Sequence, residues 1–260
     1  MRAIFYILSI LCFTFLLTPI TMPLLISFST LESISFPPKG FTIKWFANIF
    51  RYETFTNGFI VSSSIAFISS LIALILSLPS SYILYRYKSL SIRGLVENLF
   101  TLPILMPEIV LSYLLLLFVY RALGIVSLIS LIIGHTLVVI PFAMRIIYAS
   151  LLNLGGDIED AAVSLGRNRL GAFIDVVLPN IKHGFVGGFL TCFMVSFNAV
   201  SISLFLSFGE AIPLPVTMLN YLQIRYDPTI AALSTLLVAF TVLLCISVEK
   251  VVGLVSGVRG

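Results

Sequence analysis

Glu108 lies within the apolar run LPILMPEIVLSYLL, where an ionised carboxylate turned toward lipid would cost at least about 2.5 kcal/mol. The residue is therefore read as facing the interior of a helix bundle. There it would meet a cationic solute or act at a gate; the other readings are pairing with a neighbouring helix or contact with surface water. A second polar group is Ser196-Phe197-Asn198, with Ser201 and Ser203 beyond it. These side chains donate and accept hydrogen bonds but carry no charge, so they would line a solute path or join one helix to the next. The third stretch runs from Asp160-Ala161-Ala162 through Leu165-Gly166 to Leu178-Pro179, the most charged segment of a greasy chain. None of the three is a bond-making constellation. The sequence has no HExxH, no Ser/His/Asp set in evidence and no GxxxxGK[ST] loop to cradle nucleotide phosphates. His135 and His183 lie near opposite span ends and read as interfacial residues rather than ligands. Cys12, Cys192 and Cys245 are far apart inside apolar spans, which suggests neither a metal site nor a disulfide. The chemistry on offer is binding, docking and passage, with energy drawn from another chain or from an ion gradient.

The elements that position these residues are apolar helices. Of 260 residues, 59% are hydrophobic and 10% charged, against about 25% charged in soluble domains. Mean hydropathy is +1.13. The chain is thus read as an all-α integral membrane protein with one domain, 1–260. Six spans are predicted, at 4–28, 57–85, 98–120, 125–147, 185–208 and 229–248, each reaching roughly the 20 residues that cross a bilayer. The first is too long for a removable signal peptide and reads as a retained helix bent by Pro19 and Pro23. A polar stretch, 29–56, follows as a loop punctuated by Pro37-Pro38 and Lys39-Gly40. The serines of the second span (Ser62, Ser63, Ser64, Ser69, Ser70) suit close helix approach. Gly184 and Gly188 form a GxxxG that fits either packing within the chain or a seam with another subunit.

Six spans leave both termini on one side. Ten basic residues (Arg2, Arg86, Lys88, Arg93, Arg145, Arg167, Arg169, Lys182, Lys250, Arg259) share the side of the 150–183 loop. Five (Lys39, Lys44, Arg51, Arg121, Arg225) fall opposite. The positive-inside rule then puts the loop and both termini in the cytoplasm. Because the basic residues are scattered between spans, they mark topology and give no nucleic-acid surface.

Within that loop, Ala161, Ala162 and Leu165 fall within one helical turn and make a small apolar patch. Gly166 suits the left-handed backbone that ends a helix. A second short helix, 170–177, is expected to stop at Leu178-Pro179. Two short helices meeting at a glycine form a knob that fits a groove on a partner protein; the plainer reading is an amphipathic loop lying on the membrane surface. The spacing Asp160-Ala161-Ala162, three residues, Gly166, nine residues, Val176, one residue, Leu178-Pro179 resembles the EAA loop of permease subunits of binding-protein-dependent ABC importers. Asp160 stands for the usual Glu and Val176 for the usual Ile. The stretch Phe36-Pro37-Pro38-Lys39-Gly40-Phe41-Thr42, followed by Trp45, is similar to one in the polyamine-type branch of that family, and so is Pro107-Glu108-Ile109-Val110. The chain departs from that branch at Asn198-Ala199, where an acidic pair is usual.

The resemblance implies the six-helix type I importer permease fold and a bacterial inner-membrane location. It implies a chain that forms half of a solute pathway with a second permease subunit, most simply as a heterodimer, and that binds no cofactor or metal and catalyses no reaction itself. A cytoplasmic ATPase dimer carrying ATP-Mg would receive Asp160, Ala161, Ala162, Leu165, Gly166, Leu178 and Pro179. Glu108, Ser196 and Asn198 would line the pathway. An extracytoplasmic solute-binding protein would deliver the solute, with Trp45 either touching it or anchoring the chain in membrane lipid. The solute would be small, a polyamine or another amine-bearing compound. The alternative is a proton-coupled secondary transporter using Glu108, which calls for internal repeats or broken helices at matched positions; the sequence displays no convincing pair.

Overall fold

The computed structural model describes residues 2–87, 91, 93–124, 127–155, 157–209 and 211–256. The topology markers Lys88 and Arg259, and the predicted start of the fourth span at Ile125, lie outside the described residues. In chain order the helices are α1 (Arg2–Ile26), α2 (Lys44–Ile49), α3 (Glu53–Arg86), α4 (Arg93–Leu105), α5 (Glu108–Leu123), α6 (Leu128–Leu154), α7 (Asp157–Ser164), α8 (Arg169–Ala172), α9 (Leu178–Asn180), α10 (Lys182–Phe197), α11 (Val200–Leu206), α12 (Leu214–Ile224) and α13 (Thr229–Ser256). One π-helical turn, Phe173–Val177, joins α8 to α9.

Among the described residues, four helices are long and apolar enough to cross a membrane: the segments Phe5–Ile26, Glu53–Arg86, Leu128–Leu154 and Thr229–Lys250. Two predicted spans are not continuous. The third is broken into α4 and α5, which meet at 104°, and the fifth into α10 and α11, which meet at 58°. Counting each bent pair as one span gives six. The first break falls at Met106-Pro107, where proline supplies no N–H and disfavours helical backbone in the residue before it. The second falls at Asn198, whose side-chain Nδ2 donates to the Met194 carbonyl at 2.8 Å. That bond offers the backbone an alternative to continuing the helix.

The chain divides into two compact units, one built from residues up to 57 together with 217–243, the other from 58–216 together with residues from 244 onward. In the second unit α3, α6 and α10 enclose a core that includes Ala73, Leu74, Val139, Ala143, Ile147 and Cys192. Three buried serines of α3 bond carbonyls of α6 in constant register: Ser69 to Ile132 (3.2 Å), Ser77 to Ile140 (3.4 Å) and Ser81 to Met144 (3.2 Å). Small hydroxylated residues let two helices approach while satisfying polar groups that lipid cannot.

The GxxxG pair packs within the chain. A Cβ at Gly184 would lie 1.8 Å from Ser150 Oγ and 2.6 Å from Ser150 Cβ, and one at Gly188 would lie 3.1 Å from Leu74 Cδ2. Since Ser150 Cβ is fixed to the α6 backbone, Gly184→Leu must push α10 away from α6. Overpacking of this kind costs about 1–3 kcal/mol. The expected outcome is a lowered thermal midpoint and yield of detergent-solubilised chain, measured by size-exclusion chromatography after heating, with Gly188→Ala affected far less.

In the first unit, α2 packs Trp45 and Ile49 inward, and Tyr52, Phe55 and Tyr221 form an aromatic cluster with ring centroids 5.1–5.7 Å apart. Asn48 Nδ2 donates to Thr229 Oγ1 at 2.9 Å and ties α2 to the start of α13.

Candidate functional site

Residues 157–181 fold as the sequence spacing suggests up to Gly166. Helix α7 carries Asp157, Glu159 and Asp160 in its first turn, where acids complement the helix dipole. It closes with Gly166 at φ +92°. The Gly166 amide donates to the Val163 carbonyl (2.9 Å) and the Arg167 amide to the Ala162 carbonyl (3.1 Å), the paired bonds of a Schellman cap. Asn168 then caps α8, its Oδ1 accepting from the Gly171 amide at 2.7 Å. Arg167 donates to Asp175 Oδ2 from Nε at 2.7 Å and again from its terminal nitrogen, which clips the α7–α8 corner onto the π turn.

Beyond this point the expected stop at Leu178-Pro179 does not occur. The Leu178 amide reaches back to the Phe173 carbonyl, and the chain stays helical through α9 to Asn180, with a turn at Ile181 before α10. The wide turn relieves the clash that a proline ring makes with the preceding turn, and Pro179 sits near the start of α9, where its missing donor is least felt. Leu178 and Pro179 are exposed on α9.

The loop is anchored on one side and bare on the other. Ala172, Val177 and Ile181 are buried, and the Phe173 ring meets the Tyr82 ring at 4.8 Å. Tyr82 Oη donates to Glu159 Oε1 at 2.6 Å. Arg86 forms a two-pronged pair with Asp160, one bond of which is 3.0 Å. Away from these bonds Ala161, Leu165, Leu170 and Ile174 are exposed; Leu165 is 90% exposed.

The Arg86 guanidinium holds the Asp160 carboxyl below the usual carboxylate range. A depressed folded-state pKa contributes stability above the unfolded value, and that stability is lost as pH falls through the folded value. The ion pair is therefore intact around neutrality and opens only in acid.

The pathway candidates differ in exposure. Glu108, read from the sequence as lying within an apolar span, stands at the break in that span. It is exposed in the first turn of α5, directly after the break at Pro107. Asn198 is also exposed at a break, between α10 and α11. Helices α5 and α11, each the second half of a broken pair, pack on one another, with Tyr113 and Phe205 rings 6.1 Å apart. Ser196 is buried and bonds His135 Nδ1 at 2.9 Å, while His135 Nε2 lies 3.3 Å from Ser203 Oγ. His135 is thus no interfacial residue but a 3% exposed imidazole joining α6 to both sides of the α10–α11 break.

Trp45 is 6% exposed, and its Nε1 donates to the Ser29 carbonyl at 2.7 Å. It packs within its unit and is largely covered there. Its edge lines a cleft of about 520 Å³ with Lys44, Arg51, Tyr52, Arg225 and Asp227 among its walls. Lys44 lies 4.3 Å above the Trp45 ring and 3.7 Å from Glu32, and Arg225 donates to Tyr52 Oη at 2.8 Å.

Sequence reasoning passed over Glu159 and Tyr82 and read His135 as interfacial. A signal for the first two existed: Tyr82 and Arg86 share one face of α3 at a four-residue spacing, and Glu159 and Asp160 are adjacent. Nothing local marks His135, whose serine partners are 61 and 68 residues away.

Comparison with known families gives this membrane-spanning helical chain its class. The chain belongs to the family of binding-protein-dependent transport system inner membrane components, whose model matches residues 69–256. It is a multi-pass inner-membrane permease of the ABC importer class. The putrescine transport system permease protein PotI of Escherichia coli (strain K12) is 27% identical over 231 residues, covering 86% of this chain and 82% of PotI. The spermidine/putrescine transport system permease protein PotC of Haemophilus influenzae is 26% identical over 211 residues, covering 80% of each. Among solved structures, a chain of a bacterial ABC transporter involved in import of the acidic polysaccharide alginate aligns with TM-score 0.67 at 17% identity, covering 97% of this chain and 96% of its own. A chain of the inward-facing MetNI methionine ABC transporter aligns with TM-score 0.66 at 20% identity, covering 77% and 95%. At these identities the structural matches establish the fold, that of the type I importer permeases.

Proposed function

We propose that the chain is the translocation subunit of an ATP-driven importer and forms half of a pathway for a small amine-bearing solute, a polyamine being the leading candidate. The observation that carries this reading is the α7–Gly166–α8 knob, fixed to α3 through Glu159 and Asp160 and bare at Leu165 and Leu170. In the reading, six spans cross the membrane with both termini and the knob in the cytoplasm, in keeping with the ten-to-five division of basic residues. A partner ATPase dimer holding ATP-Mg receives the knob, a second permease subunit supplies the other half of the pathway, and an extracytoplasmic binding protein delivers the solute. Closure of the ATPases draws the knobs together and rocks the helices between inward-open and outward-open states. Glu108 and Asn198, exposed at two breaks on mutually packed helices, are the pathway residues of this reading; discontinuous helices free polar backbone to face a solute. Ser196 acts there indirectly, as the partner of His135.

Kinship to putrescine and spermidine permeases supports the amine-bearing class. Helix breaks are also a requirement of the proton-coupled alternative, but family membership gives that alternative no support. The deciding experiment is uptake of labelled putrescine into proteoliposomes holding the chain with its ATPase, second permease and binding protein. Accumulation that requires ATP and the binding protein is expected. Accumulation under a proton gradient without nucleotide would overturn the reading and return Glu108 to the centre of the mechanism.

A further inference from the structure

Glu159 has no role in the function described so far beyond its place in the anchor. Its side chain is 0% exposed, its Oε1 accepts one hydrogen bond from Tyr82, and its Oε2 is buried without a hydrogen-bond partner among the described residues. A buried carboxylate that leaves an acceptor unmade costs stability, and an apolar pair in its place would serve the fold as well or better. Stability therefore does not account for it. What it does is fix direction: Tyr82 and Arg86, one turn apart at the end of α3, grip the adjacent Glu159 and Asp160 at the start of α7. One bond would leave α7 free to pivot; two bonds hold its orientation, and the Tyr82–Phe173 ring contact holds the π turn to the same helix.

We infer that the Tyr82–Glu159 bond is a transmission joint: with the Arg86–Asp160 pair it makes α3 turn as one body with the knob, so that displacement of α7 by the ATPases enters the membrane through α3. Glu159 and Tyr82 are positioning residues in this scheme and touch no solute or nucleotide. From α3 the displacement passes to α6 through the Ser69, Ser77 and Ser81 bonds. The inference rests on the reading of the knob as the ATPase contact.

The test uses the assembled transporter and three variants of this chain. In Tyr82→Phe/Glu159→Leu, both partners become apolar, so no polar group is orphaned and the thermal midpoint is expected to hold. ATPase should co-purify at the normal level and hydrolyse ATP within about twofold of the parent rate, while uptake per ATP falls about tenfold, the scale of an ordinary coupling free energy. Tyr82→Phe alone, which keeps the ring contact with Phe173, should show the same loss. Glu159→Gln keeps an oxygen for Tyr82 and should couple nearly normally. Unchanged uptake per ATP in the double variant and in Tyr82→Phe would overturn the joint, as would loss of coupling only in proportion to loss of folded chain. Failure of the unmutated chain to retain any ATPase would instead overturn the docking reading, and the joint with it.

Discussion

Gly166→Asp is expected to abolish uptake while leaving the chain in the membrane at its normal level. At φ +92° the backbone lies where a side chain is strained, and even the favourable left-handed region costs a non-glycine residue about 1–2 kcal/mol. No heavy atom lies within 4 Å of where the new Cβ would point, so the fold has nothing to lose by collision. The strain is relieved by opening the Schellman cap, which turns α7 relative to α8 and misdirects the tip. Asn tolerates left-handed backbone better, so Gly166→Asn should retain a measurable fraction of transport. Uptake assays paired with quantification of the chain in isolated membranes check both statements. Normal uptake in Gly166→Asp would remove the reason for giving the knob a coupling role.

Leu165→Glu is expected to detach the ATPase. Leu165 is 90% exposed and contributes nothing to the chain's own core, whereas full burial of a leucine against a partner is worth about 1.5–3 kcal/mol. Losing that contact and placing a carboxylate in an apolar groove should weaken association by roughly a hundredfold, near 2.7 kcal/mol. Titration of purified ATPase onto the detergent-solubilised permease measures the change directly. An unchanged affinity would mean that the exposed tip is not the contact.

The residues of the knob were legible in the sequence because its features are local. Gly166 ends α7 through bonds made within five residues, and the apolar patch of Ala161, Ala162 and Leu165 follows from helical periodicity alone. Pro179 misled because proline stops a helix only when the turn before it is an ordinary one; the π turn at Phe173–Val177 let the helix pass. The two broken spans were hidden because hydropathy averages over Met106-Pro107 and Asn198, while a bend changes direction without changing apolarity. Glu108 owes its exposure to the same feature, being the first residue of α5 directly after the break at Pro107. His135 and the Tyr82–Glu159 bond depend on partners 61 to 77 residues away, which only the assembled helices bring together. Nothing local showed that the Ser29 carbonyl draws the Trp45 indole nitrogen inward.

The central claim is that this chain works only with a nucleotide-driven partner seated on the 157–179 knob. The most direct measurement is affinity purification of the tagged chain from detergent-solubilised membranes, with identification of what accompanies it and an assay of ATP hydrolysis. Recovery of an ATPase and a second multi-span permease, with hydrolysis lost in Leu165→Glu preparations, is the expected result. A chain that purifies alone, without nucleotidase activity, and still moves solute in proteoliposomes under a proton gradient would contradict the account.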